Sequence, residues 1–129
     1  MEFRVKTDKE VYNLEAFVKE IGKDFLVAIW GDERPHIGAV AVAQPRPSLK
    51  DESLRSATAS VFCYLGHKDD IIAKEAAEKI SSELNTNVTV TVGIHFNDIN
   101  EAGIKAVIEN SRQLINMIIE RITTKEVKS

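Results

Sequence analysis

The side chains able to do chemistry in this sequence are few. There are three histidines, His36, His67 and His95, and each is expected at the end of a strand. Arg34, Gly66, Lys68, Asp69, Asp70 and Gly93 stand close to them in the sequence. An imidazole changes charge near neutral pH and can serve as acid, base or metal ligand. A glycine beside a helix start leaves backbone N–H groups open to an anion such as a phosphate, with Arg34 or Lys68 supplying positive charge. His36, His67 and His95 can alternatively hold a metal ion. The spacing gives little support to a metal, because the chain has no His-Glu-x-x-His pair and only Cys63 as a thiol. A single histidine is more often a hydrogen-bonded structural residue than a ligand, so the weight rests on whether the three meet. Asp69 and Asp70 are neighbours on a helix start and do not face one another. They read as acids that complement the helix dipole, not as a catalytic pair. Cradles of the P-loop or dinucleotide type and the Gly-x-Ser-x-Gly elbow are absent from the sequence. Trp30, Phe62, Tyr64 and Phe96 could stack on a flat ring, although aromatic residues in strands mostly fill cores.

The elements that must position these residues follow from periodicity. Glu2–Lys6 alternates as a short strand. The next stretch is ambiguous. Thr7 and Glu10 resemble a capping box, and Val11, Leu14, Phe17, Val18 and Ile21 recur at helical spacing. The competing reading is a strand over Asn13–Ile21 that turns at Gly22-Lys23. Phe25–Trp30 and Ile37–Ala43 are predicted strands. The second is apolar on both faces and is expected to be central and covered on both sides. Gln44–Arg55, with Pro45 and Pro47, reads as a loop. Ala57–Leu65 reads as a strand that Gly66 interrupts, and Ile71, Ile72, Ala73, Ala76, Ala77, Ile80 and Leu84 then mark one side of a helix ending near Asn85. Val88–Phe96 alternates cleanly. Asn97 and Asp98 are expected to cap a last helix over about Asn100–Ile122, whose broad apolar stripe suits a sheet and also a second subunit. Thr123–Ser129 reads as a frayed tail.

Topology brings the histidines together. A strand, a helix and a strand in one sheet normally form a parallel crossover, which places His67 and His95 at one sheet end. If Ile37–Ala43 runs antiparallel to Ala57–Leu65, His36 joins them, while Arg46 and Arg55 go to the opposite end. The expected architecture is α+β: a single mixed, mainly antiparallel sheet of about five to six strands with two helices, one in a β-α-β unit and one long and C-terminal. Residues 1–129 form one domain in this reading.

Composition narrows the function. The chain is 43% apolar and 29% charged with a formal net charge of -3. This suits a globular protein and argues against nucleic acid as a partner. No apolar run is long enough to span a bilayer, and the charged start MEFRVKTDKE has no apolar signal core, so a cytoplasmic location is expected. Cys63 has no partner for an intrachain disulfide and reads as an inert strand thiol.

Six motifs occur in order: Gly-Lys-Asp at 22–24, Pro-His-Ile-Gly-Ala-Val at 35–40, Pro-Arg-Pro-Ser at 45–48, Ser-Ala-Thr-Ala-Ser-Val at 56–61, Gly-His-Lys-Asp-Asp at 66–70 and Gly-Ile-His at 93–95. This set resembles the prenylated-flavin chaperone family, whose members are also associated with gallate decarboxylase, over roughly Leu14–Ile122. The resemblance implies a fold like that of the proteasome assembly chaperones, usually paired as a dimer. It implies binding of prenylated FMN as cargo for a UbiD-type decarboxylase, without turnover. It also implies a hairpin around Gly-Lys-Asp, which favours the strand reading of Asn13–Ile21. The matching motifs place His36, Gly38, Gly66, His67, Lys68, Asp69, Asp70 and His95, with Arg34 beside them, in the cofactor site. The flavin phosphate is expected at the helix start near His67–Asp69. Two other readings remain open: a metal-dependent hydrolase using His36, His67 and His95, and an assembly module acting through protein contacts.

Overall fold

A computed structural model describes residues 1–64 and 69–128, with side chains through residue 125. The elements are β1 (Glu2–Lys6), β2 (Leu14–Ile21), β3 (Asp24–Gly31), β4 (Ala39–Pro47), β5 (Arg55–Cys63), α1 (Asp70–Leu84), β6 (Val88–Gly93) and α2 (Glu101–Lys128). The strands form one six-stranded sheet in the order β1-β2-β3-β6-β4-β5. Every pairing is antiparallel except β3 with β6. The architecture is the expected α+β mixed sheet with a long C-terminal helix. The β5-α1-β6 crossover is present, with β4 lying between its two strands.

Register explains the core. Phe3, Val18, Val27, Val90 and Ala41 pair across neighbouring strands as one row, and all five are buried. Leu14, Ile29 and Val92 belong to the same face. Both helices cover it, α1 over β4, β5 and β6, and α2 over β1, β2 and α1. Ala39, Ala41 and Ala43 give α1 a shallow bed, which is why the strand is rich in small residues. The next row, Phe17, Ala28, Thr91, Val40 and Phe62, faces away from the helices. β4 is therefore covered on one face and not on two: Val42 is 48% exposed and Phe62 on β5 61% exposed.

The 7–21 segment is loop then strand, as the hairpin reading requires. Thr7, with its capping-box look, closes a loop instead. Its hydroxyl donates to Asn13 Oδ1 at 2.9 Å and accepts the Leu14 N–H at 3.0 Å. Val11, which the helical spacing placed on the apolar side, is 59% exposed.

Several boundaries differ from the sequence reading. β4 continues through Pro45 and Pro47, where a loop was expected. Past Ala43 it has β5 on one side and no longer pairs with β6, so a missing N–H on the open side loses no ladder bond. β6 ends at Gly93, not at Phe96. The cap of α2 is Asn100, whose carboxamide oxygen accepts the Gly103 N–H at 2.8 Å; Asn97 and Asp98 lie before it. α2 runs on through Thr123 to Lys128, past the expected stop at Ile122.

Candidate functional site

The start of β4 and the ends of β5 and β6 lie together, since Ala39 pairs with both Cys63 and Val92. The end of β3 joins them, because Trp30 pairs with Gly93. Four chain segments thus meet at one sheet end, as the sequence topology predicted. Crowding there is relieved by glycine. The Gly38 N–H donates to the Val92 carbonyl at 2.9 Å, and the Gly38 carbonyl accepts the Tyr64 N–H at 2.8 Å. A Cβ on Gly38 would overlap Asp69 Oδ2, and one on Gly93 would overlap the His36 carbonyl oxygen. Both glycines make room for a neighbour.

His36 and Asp69 form the polar centre of this junction. The His36 Nδ1–H donates to the Arg34 carbonyl at 2.6 Å. A carbonyl only accepts, so Nδ1 carries a hydrogen and Nε2 is the atom turned toward other partners. Nε2 lies 3.7 Å from Asp69 Oδ2, within ion-pair range when the ring is doubly protonated. Arg34 itself has φ 47°, which aims its carbonyl into this bond. Asp69 is 5% exposed, and its Oδ1 accepts the Ile94 N–H at 3.2 Å. The sequence assigned Asp69 to capping. It does occupy the N-cap position of α1, but its side chain makes no cap bond and turns instead toward β6 and His36. Asp70 is the exposed first residue of α1 and keeps the role of a first-turn acid.

His95 lies beyond β6 in the loop before α2. It is exposed, and its Nε2 is 3.3 Å from Asn97 Oδ1, while Asn97 donates to Glu33 at 3.3 Å. His36 and His95 therefore engage different partners. Gly66, His67 and Lys68, which the sequence placed in the site, lie outside the described residues. Among the described residues, no group of three His, Cys, Asp or Glu side chains is placed to hold a metal. Arg46 and Arg55 are at the opposite end, as expected. Arg46 donates to the Thr58 hydroxyl, and Arg55 donates to the Ser82 and Glu83 carbonyls at the α1 C-terminus.

Asp69 also borders a pocket of about 440 Å³ between the start of α1, the loop after β6 and the first turns of α2. Ile72, Phe96 and Val107 are its buried residues, Ile94, Ile99 and Ile108 are half-buried, and Asp69 and His95 supply its polar atoms. Sequence reasoning did not single out this pocket. The signal was present: α1 and α2 begin with more aliphatic residues than one buried stripe needs. Ile71 is 65% exposed and Ile104 49% exposed. A second concavity of about 510 Å³ lies at the other end of the strands, near Ile21, Val42, Thr58 and Asn87, away from the histidines.

A sheet with both helices on one face and an uncovered second face is also the fold of a proteasome-assembly factor. The chain matches, with TM-score 0.56 over 95% of its own length and 96% of the other chain, a crystal structure of a chaperone complex for yeast 20S proteasome assembly. At 16% identity the likeness is one of fold. The sequence defines the relationship more closely: residues 8–123 match the prenylated flavin chaperone LpdD-like domain, and the chain belongs to that family. It is 28% identical over 123 residues to Protein LpdD of Lactiplantibacillus plantarum, covering 95% of this chain and 87% of that protein.

Proposed function

We propose that this chain is a non-catalytic chaperone that holds prenylated FMN and passes it to a UbiD-type decarboxylase. Family membership supports the chaperone role. The observation that carries the binding reading is the shared boundary at Asp69, which faces His36 on one side and an apolar pocket of ligand-sized volume on the other. An amphipathic cofactor needs both. His36, Asp69 and His95 offer hydrogen-bonding groups for its polar edge, and Gly38 lets them approach. Gly66, His67 and Lys68, outside the described residues, adjoin the same junction in sequence. A phosphate seated directly on the α1 N-terminus would meet the Asp69 and Asp70 carboxylates. The exposed Arg34, with Lys68, suits it better.

The protein works as a homodimer in this reading. The helix-free sheet face carries Phe17, Leu26, Trp30, Val40, Val42, Phe62 and Tyr64, an apolar surface of the kind that a partner covers.

Gel filtration with prenylated FMN under reducing, anaerobic conditions tests the binding reading. The wild type should elute with the cofactor's absorbance. His36→Ala and His67→Ala should lose most of it, and Lys23→Ala, in the distant β2-β3 turn, should not. A wild-type protein that elutes colourless would refute the proposal.

A further inference from the structure

The pocket between α1 and α2 has a lining that is unusual for a flat, polar cofactor. Phe96 is its one aromatic residue among the described lining. That ring is already committed: it packs edge-on against Tyr12 with centroids 5.1 Å apart, and its far atoms lie 3.1 Å from where a Gly31 Cβ would be. Among the described residues, no pair of aromatic slabs lines the pocket to sandwich an isoalloxazine ring. What remains is branched aliphatic surface from Ile72, Ile94, Ile99, Ile104, Val107 and Ile108. Such a surface rewards hydrocarbon and offers a planar heteroaromatic ring few partners. The polar atoms come from Asp69 and His95, so a ligand entering the pocket has its apolar part separated from its hydrogen-bonding part.

We propose that this pocket is the seat of the prenyl-derived hydrocarbon of the bound flavin, and that it is the element that distinguishes prenylated from unprenylated FMN. The inference rests on the reading of the chain as a holder of prenylated FMN. It adds the place and the chemistry of discrimination. The ring's polar edge then lies toward Asp69 and His95, and the phosphate lies outside the pocket. Ile71 and Ile104, exposed on α1 and α2, flank the mouth and leave water when the ligand enters. The seat touches both helices, so a seated ligand also ties α1 to α2.

Burying a prenyl unit predicts a preference over FMN on the order of 100-fold. The test compares the affinities of prenylated FMN and FMN for the wild type, Ile104→Trp and Ile71→Ser, by fluorescence titration under anaerobic conditions. Both substitutions fall on exposed positions, and urea unfolding checks that the variants remain folded. Ile104→Trp should fill the pocket and bring the two affinities to within a few-fold of one another. Ile71→Ser should reduce the preference by several-fold while leaving FMN binding unchanged. If the wild type prefers prenylated FMN and both variants keep the full preference, the pocket is not the seat, and the chaperone reading stands without it. If the wild type binds neither flavin, the chaperone reading fails and takes the seat with it.

Discussion

Gly38 and Gly93 do different work within the same junction. The Cβ that Gly38 lacks would collide with a side-chain oxygen, whereas the one that Gly93 lacks would collide with a backbone carbonyl. Asp69 can be pushed aside at the cost of its bond to the Ile94 N–H. The His36 carbonyl cannot move without parting β4 from β6. Gly38→Ala should therefore cost about 1–3 kcal/mol in urea unfolding and abolish flavin retention. Gly93→Ala should cost more, about 4 kcal/mol or above. Equal, small effects would mean that the junction is looser than its distances indicate. The residue types here were legible in the sequence, because histidine, glycine and aspartate are few and cluster near predicted strand ends. The direction of the Asp69 side chain was not. An aspartate before an apolar helical run fits the N-cap pattern equally well whether it bonds its own helix or a strand brought in from 25 residues away.

At the scale of elements, local pattern and tertiary context compete. The 7–21 segment carries helical spacing, yet it folds as β2 because its alternate residues Leu14, Ala16 and Val18 complete the buried face between β1 and β3. Pro45 and Pro47 look like loop residues until the sheet order shows that β6 does not flank them. These outcomes depend on which strands become neighbours, information that no local window contains. Helix ends are set more locally, and α2 offers a clean case. Asn100→Ala removes the oxygen that accepts the Gly103 N–H and should lower stability by about 1 kcal/mol, read as a shift in the urea midpoint. Asn100→Asp should retain most of it. Asn85, at φ 54°, ends α1 in the left-handed conformation, as the sequence boundary suggested.

For the whole molecule, the uneven coverage of the sheet sets association. The two helices seal one face, while the other leaves Phe62 and Tyr64 in edge-to-face contact at 5.0 Å and exposed. Arg4 lies over Phe17 and Trp30 toward the β1 side and shields part of that region. Sedimentation should give twice the mass of one chain, and Phe62→Asp should shift it to one without altering the far-ultraviolet dichroism. A wild-type monomer, or a Phe62→Asp dimer, would place the contact elsewhere. The apolar alternation that exposes this face was readable strand by strand. That both helices would choose the same side was not, because each amphipathic helix is compatible with either.

The position of β6 has a consequence for synthesis. β1-β2-β3 and β4-β5 are each joined by short connections, but the strand that welds the two halves comes sixth in the chain and third from the β5 edge. A polypeptide still emerging from the ribosome thus carries two partial ribbons, with the inner margins of β3 and β4 unsatisfied, until Val88–Gly93 is released to slot between them. A stop codon just upstream of that strand would leave a product with no route to the finished architecture, however sound its first five strands.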